Sequence, residues 1–259
     1  MQIRPDVELA NCSDVGCVRT GNEDYFLYIE PEDDEEFARR GRLILVADGM
    51  GGRAGGEVAS RVAAETIRNI FLGEQASAEA PREVLIAGFQ AAHQAILELA
   101  AEEPELSGMG TTCCAAILQN GRLYFGHVGD SRIYLIRDGR ATALTEDHSV
   151  VARMVRDGLI TPEEAEHHAQ RNVITAALGV DLESVAGDFP LQPLDLIAGD
   201  ILLLCTDGLH GLVSADEMAL TTENQPLTQA CQELVGRAKV RGGPDNITVQ
   251  LLGVRQVEK

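Results

Sequence analysis

The chain has no tryptophan, and aromatic residues make up only 4% of its 259 positions. Its six cysteines (Cys12, Cys17, Cys113, Cys114, Cys205 and Cys231) contain no Cys-x-x-Cys, and its six histidines contain no His-x-x-x-His. Zinc chemistry at the centre of the function is therefore disfavoured, as is a disulfide framework, and reduced thiols in a cytoplasmic protein are expected. No apolar run approaches the ~18 residues needed to span a bilayer. The first ten residues carry Arg4, Asp6 and Glu8 in place of an apolar signal core. Basic residues are scarce: Lys plus Arg number 21 against 41 Asp plus Glu, a net charge of −20. A polyanion with no Lys/Arg-rich stretch repels nucleic acid, which excludes that class of partner. Repeats, low-complexity tracts and Pro/Gly/Ser linkers are also lacking, so residues 1–259 are expected to form one domain. What is present is ample apolar material, 45% of residues, which excludes intrinsic disorder.

The apolar material falls into short runs. Arg42–Ala47 reads as a buried strand ending in Asp48-Gly49. Ala59, Val62, Ala63, Thr66 and Ile70 recur at three and four, as do Leu85, Phe89, Ala92, Ile96 and Leu99, which gives two amphipathic helices. The charged run Glu30–Arg40 reads as a solvated loop between strands. Three apolar runs within Thr111–Thr145, broken at Asn120-Gly121 and Gly129-Asp130 and followed by Asp138-Gly139, predict an antiparallel meander. Ile133, Tyr134, Leu135 and Ile136 are apolar on both alternating faces, so that sheet must be covered on both. A second sheet on one side and helices on the other predict an α+β, four-layer helix–sheet–sheet–helix sandwich. Residues 147–188 are more polar and form an insertion, in which Thr161 and Glu164 make a capping box. Ser214 and Glu217 repeat that signature before a further helix, with Leu227, Ala230, Cys231, Leu234, Val235 and Ala238 as its core stripe.

Several aspartates stand where an apolar strand meets a glycine-bearing turn: Asp48, Asp130, Asp207 and Asp245. Asn22-Glu23-Asp24 adds a further acidic group before Tyr25–Ile29. Each one alone is an ordinary turn residue. If the strand ends converge, carboxylates a few ångströms apart cannot all stay ionised unaided. Divalent cations resolve the conflict, and all-oxygen ligands suit Mn²⁺ or Mg²⁺. The cations would also invert the local field of an acidic chain and admit an anionic substrate. Metal-assisted hydrolysis of a phosphate ester by an acidified water is the coherent chemistry. Arg19, just before the acidic cluster, is the candidate grip on phosphoryl oxygens.

Ser13-Asp14-Val15-Gly16, Arg19, Asn22-Glu23-Asp24 and Asp48-Gly49-Met50-Gly51-Gly52 together resemble the metal-dependent protein phosphatase 2C family in its bacterial Ser/Thr form. Gly110-Thr111-Thr112, Gly129-Asp130-Ser131-Arg132, Asp147-His148-Ser149, Arg171-Asn172-Val173-Ile174, Thr206-Asp207-Gly208-Leu209 and Asp245-Asn246 continue the pattern in order. The resemblance implies two antiparallel sheets flanked by helices. It also implies that Asp48 bridges two catalytic ions with the Gly49 carbonyl on one of them. Asp207 and Asp245 would hold the other, while Glu23 and Asp24 act through water. Asp130 with Asp207 would take a third, weaker ion, Arg19 would hold the substrate phosphate, and 147–188 would be a mobile flap. Met50 stands where animal members have a histidine, so the leaving-group acid is unassigned; a metal-bound water, His167 or His168 are the alternatives. His167 and His168 would point about 100° apart on a helix, against a shared metal. His148 is expected to orient the flap, and His93, His127 and His210 receive no role.

The function expected is a Mn²⁺- or Mg²⁺-dependent protein serine/threonine phosphatase, a monomer acting on phosphorylated proteins and opposing a cognate Ser/Thr kinase. The alternatives are a non-catalytic, metal-dependent phosphoprotein-binding module, and a phosphatase of an anti-sigma antagonist from the same superfamily.

Overall fold

Alternate residues of the apolar runs belong to different cores. Leu43, Leu45 and Ala47 pack with Phe71, Leu85, Phe89 and Ile96. Ile44 and Val46, which point the other way, pack with Ile133, Leu135, Leu202 and Leu204. Leu203 and Cys205 turn from that layer toward Met218, Leu234 and Ala238. A period of two with both faces buried therefore gives three stacked cores. Each fully buried Leu, Ile or Phe contributes about 1.5–3 kcal/mol.

The computed structural model describes residues 3–51, 55–74, 80–180, 187–223 and 225–255. In chain order the elements are β1 (Val7–Asp14), β2 (Asp24–Ile29), α1 (Asp34–Arg40), β3 (Arg42–Met50), α2 (Gly55–Leu72), α3 (Pro81–Glu102), β4 (Gly110–Thr111), β5 (Cys113–Gln119), β6 (Arg122–Val128), β7 (Arg132–Arg137) and β8 (Arg140–Ala143). They continue with α4 (Val150–Arg156), α5 (Pro162–Glu166), β9 (Leu194–Asp195), β10 (Ile201–Cys205), α6 (Asp207–His210), α7 (Ala215–Thr222), α8 (Leu227–Val240) and β11 (Ile247–Val254). One sheet runs β1-β11-β10-β7-β8 and the other β2-β3-β5-β6-β9, with β4 beside β3. The pairings between these strands are antiparallel. Helices α2 and α3 cover the second sheet and α7 and α8 the first. This is the four-layer sandwich that the apolar patterning predicts.

Three local expectations change. The strands of 111–145 do not form one meander. β5 and β6 pair through the Asn120-Gly121 turn, and β7 and β8 through Asp138-Gly139, but β7 lies in the other sheet beside β10. Gly129, at φ 98°, carries the chain from one sheet to the other and does not close a hairpin. The acidic run is also not all loop. Asp33 accepts from the Glu36 N–H and caps α1, and the Arg40 Nη1 reaches the carbonyls of Phe71 and Gly73 at 2.7 and 2.8 Å. α3, finally, is long and apolar enough by composition to cross a membrane. Its Leu85, Phe89, Ala92 and Ile96 are instead buried in the helix–sheet core.

Candidate active site

β2 and β3 run antiparallel in a register that sets Asp24 opposite Asp48. Asp207 is the first residue of α6, two residues after the end of β10, and Asp245 stands two residues before β11. Asp130 lies on the crossover from β6 to β7. Two strands of one sheet and the strand ends of the other thus deliver their carboxylates to one end of the sandwich. Mutual electrostatics show the convergence. The Asp48 carboxyl titrates far above the usual range because it is buried, and then because Asp24, Asp207, Asp130 and Asp245 repel its charge. Burial pushes Asp24 up to about 7 against hydrogen bonds from Thr248 and Thr206, and the charges of Asp207 and Asp245 raise it further. Asp130 rises to about 7 and Asp207 to about 6, again from burial first and neighbouring aspartates second. Burial raises Glu23 while Arg19 opposes the shift.

A polar frame fixes these groups. The Thr206 hydroxyl donates to Asp24 Oδ2 at 2.9 Å and accepts from the Thr248 N–H at 3.0 Å. Thr112 Oγ1 accepts from the Asp48 N–H at 3.0 Å, and the Thr111 hydroxyl donates to the Asp48 carbonyl at 2.9 Å. Asn246 accepts from the Glu23 N–H at 2.8 Å and donates to the carbonyls of Val15 and Gly21. His210 bonds the Asp130 carbonyl through Nε2 at 2.8 Å, and burial lowers its pKa to about 4, so it stays neutral. Sequence reasoning left Thr206 and Asn246 without individual roles and assigned His210 none. Their signal was a polar residue beside a motif aspartate at the end of an apolar strand. Gly49 is required where β3 meets α2: a Cβ there would stand 2.0 Å from the Gly56 carbonyl oxygen. Gly56 in turn leaves room for the Glu23 carboxyl, whose Oε1 would lie 2.9 Å from an added Cβ.

The donor set fits hard divalent cations. Asp24 Oδ1 and Asp207 Oδ1 are buried with no hydrogen-bond partner, a costly arrangement unless a ligand takes them. The converging side chains offer only carboxylate oxygens, the preference of Mn²⁺ and Mg²⁺. Arg19 stands at the rim, its Nη2 2.8 Å from Asp245 Oδ2 and its side chain half exposed. The guanidinium also feels the charges of Glu23 and Asp48. Met50 closes β3 opposite Gly110.

The 147–188 segment starts from a rigid stem. Arg132 forks onto both oxygens of Asp147 at 2.7 Å, and the Ser149 hydroxyl caps α4. The backbone of His148 bonds Gly129 and Thr175. Among the described residues, neither His167 nor His168 hydrogen-bonds to the acidic cluster; His167 ends α5, and His168 Nδ1 accepts from the Gln170 N–H. Gly52 of the glycine motif and residues 181–186 of the expected flap lie outside the described residues.

The family model described as protein phosphatase 2C matches residues 29–248. The chain is 37% identical over 254 residues to the protein phosphatase PhpP of Streptococcus pneumoniae, covering 96% of this chain and 98% of that protein. It is 37% identical over 243 residues to the serine/threonine protein phosphatase PstP of Mycobacterium tuberculosis, covering 93% of this chain but only 44% of that longer protein. Among solved structures it resembles the catalytic domain of PstP in complex with two manganese ions, with a TM-score of 0.80 at 34% identity over 96% of this chain and 99% of that one.

Proposed function

The chain belongs to the protein phosphatase 2C family, metal-dependent hydrolases of phosphoserine and phosphothreonine in proteins, and on that premise we propose how its own residues do this work. Residues 1–259 act as a single catalytic domain with 147–188 as its flap. Asp48 and the Gly49 carbonyl would hold one of two Mn²⁺ or Mg²⁺ ions, with Asp48 serving both. Asp207 and Asp245 would hold the other, and Glu23 and Asp24 would act through water. Asp130 with Asp207 would form a third, weaker position. When bound, the ions supply Lewis acidity, which acidifies water and stabilises charge on the phosphoryl oxygens.

The side chains do the rest. Arg19, at the rim beside Asp245, would bind two phosphoryl oxygens through its fork. Thr206 and Thr112 hold Asp24 and Asp48 in place, and neutral His210 fixes the Asp130 turn without adding positive charge. The acidic surface selects phosphosites flanked by basic residues. The protein works as a cytoplasmic monomer and opposes a cognate Ser/Thr kinase.

The observation that carries this reading is the convergence of Asp24, Asp48, Asp130, Asp207 and Asp245, with two of their buried oxygens left without partners. The test is phosphate release from phosphoserine, phosphothreonine and phosphotyrosine peptides after chelation and Mn²⁺ add-back. Release from the first two only, restored by Mn²⁺, is expected. Peptide binding without turnover, or turnover that survives chelation, would overturn it.

A further inference from the structure

A second cluster of ligating atoms lies at the stem of the flap. His127, in β6, is 2% exposed. Its Nε2 donates to the Glu146 carbonyl at 2.7 Å, which fixes the tautomer and leaves Nδ1 as a bare lone pair. That Nδ1 is buried with no hydrogen-bond partner. The His148 ring lies 4.5 Å away between centroids, tilted by 33°. Its Nε2 is 3.2 Å from Asp188 Oδ2. Ligand-capable atoms of His127, His148 and Asp188 all fall within 4.8 Å of one another. Backbone bonds fix the arrangement: His127 and Asp188 exchange N–H···O bonds of 3.1 and 2.9 Å, and the His148 N–H reaches the Gly129 carbonyl at 2.8 Å.

We propose that His127 Nδ1, His148 Nε2 and one Asp188 carboxylate oxygen form a cation site, separate from the acidic cluster, that takes a borderline transition metal of the zinc type. Two imidazoles and one carboxylate, with solvent as the fourth ligand, are a tetrahedral zinc donor set, whereas Mn²⁺ and Mg²⁺ prefer the oxygen-only cluster. The Glu146 carbonyl on the far nitrogen of His127 is the outer partner that ligating histidines customarily have. Zn–N bonds of about 2.0–2.1 Å place tetrahedral ligand atoms about 3.3 Å apart, so the groups close by up to about 1.5 Å. Asp188, with a side chain 66% exposed, is free to move that distance. Binding through His148 Nε2 puts the ring proton on Nδ1, so the long 3.3 Å hydrogen bond from the Gly129 N–H is lost and the two N–H groups must move apart. His148 opens the flap segment and Asp188 closes it. One ion would therefore clip both stems to β6, three residues from Asp130.

The full chain saturated with Mg²⁺ is dialysed against Zn²⁺, and Co²⁺ serves as the spectroscopic probe. One Zn²⁺ per chain is expected, with the strong visible absorption of tetrahedral, nitrogen-ligated Co²⁺. Asp48→Asn keeps both signals. His148→Ala and Asp188→Ala each weaken Zn²⁺ binding about tenfold or more. Asp188→Ala decides alone if the histidine variant fails to fold. Zn²⁺ bound equally by wild type and Asp188→Ala, or none bound beyond what Asp48→Asn loses, would overturn the proposal.

Discussion

At the scale of single residues, the central fact is that several aspartates are held where they resist ionisation. Folded-state values near 7 for Asp24 and Asp130 and near 6 for Asp207 exceed the unfolded value of about 3.9. The folded, metal-free protein therefore binds these protons more tightly than the unfolded chain does. That contribution to stability is complete below about pH 4 and is lost as pH rises through about 6–7. The metal-free Tm is expected to fall between about pH 4 and pH 7. Saturating Mn²⁺ removes the fall, because at 100 times its Kd a ligand adds about 2.7 kcal/mol and takes the proton's place. A flat metal-free Tm over that window would contradict the cluster as described. Asp48→Asn replaces a carboxyl that ionises only against burial and its neighbours' charges with a neutral isostere, so the metal-free Tm should fall less with rising pH. The same change should abolish Mn²⁺-dependent hydrolysis of p-nitrophenyl phosphate. Arg19→Ala is expected to raise KM and also lower kcat, since the fork meets more charge in the transition state than in the ground state.

At the scale of elements, the site depends on how strand ends meet. Gly49→Ala forces a Cβ against the Gly56 carbonyl, backbone on backbone, where no flexible side chain can yield. The variant should lose the β3–α2 junction, read as a lower Tm together with weakened Mn²⁺ binding. Thr206→Val leaves both the Asp24 carboxylate and the Thr248 N–H without the shared hydroxyl, at about 1–3 kcal/mol for each group. Chemical denaturation would measure that loss. Elements were legible in the sequence where their cause is local. Asn120 and Asp138 have φ of 52° and 51°, the left-handed geometry that Asn-Gly and Asp-Gly hairpins require. Both capping boxes were legible for the same reason. Gly129-Asp130 has the same two residue types in reverse order but crosses between sheets, because sheet membership is decided by β10, some seventy residues away. α1 was hidden because its acidic face suggests solvent, while Asp33 and Arg40 tie its two ends down. The aspartates themselves were legible as strand-end residues. Thr206, Asn246 and His210 were not, since what they hold comes from distant segments. His127 and His148 are 21 positions apart in sequence, so no short metal spacing could flag them.

At the scale of the whole molecule, an excess of 20 negative charges surrounds a site whose substrate is an anion. On the proposed reading, bound cations would reverse the field locally and the outer surface would attract basic sequence around the phosphosite. Turnover of phosphopeptides rich in Lys and Arg is expected to fall as salt rises, and a rate insensitive to salt would sink that substrate preference. The layered sandwich makes the site possible, because two sheets stacked with their strand ends aligned bring Asp24 and Asp48 from one and Asp207 and Asp245 from the other to a common edge. The most direct measurement is anomalous diffraction at the manganese edge from crystals grown in Mn²⁺. Two strong peaks are expected, both touching Asp48, with Asp207 and Asp245 on one of them. Density that left these carboxylates without a shared ion would contradict it.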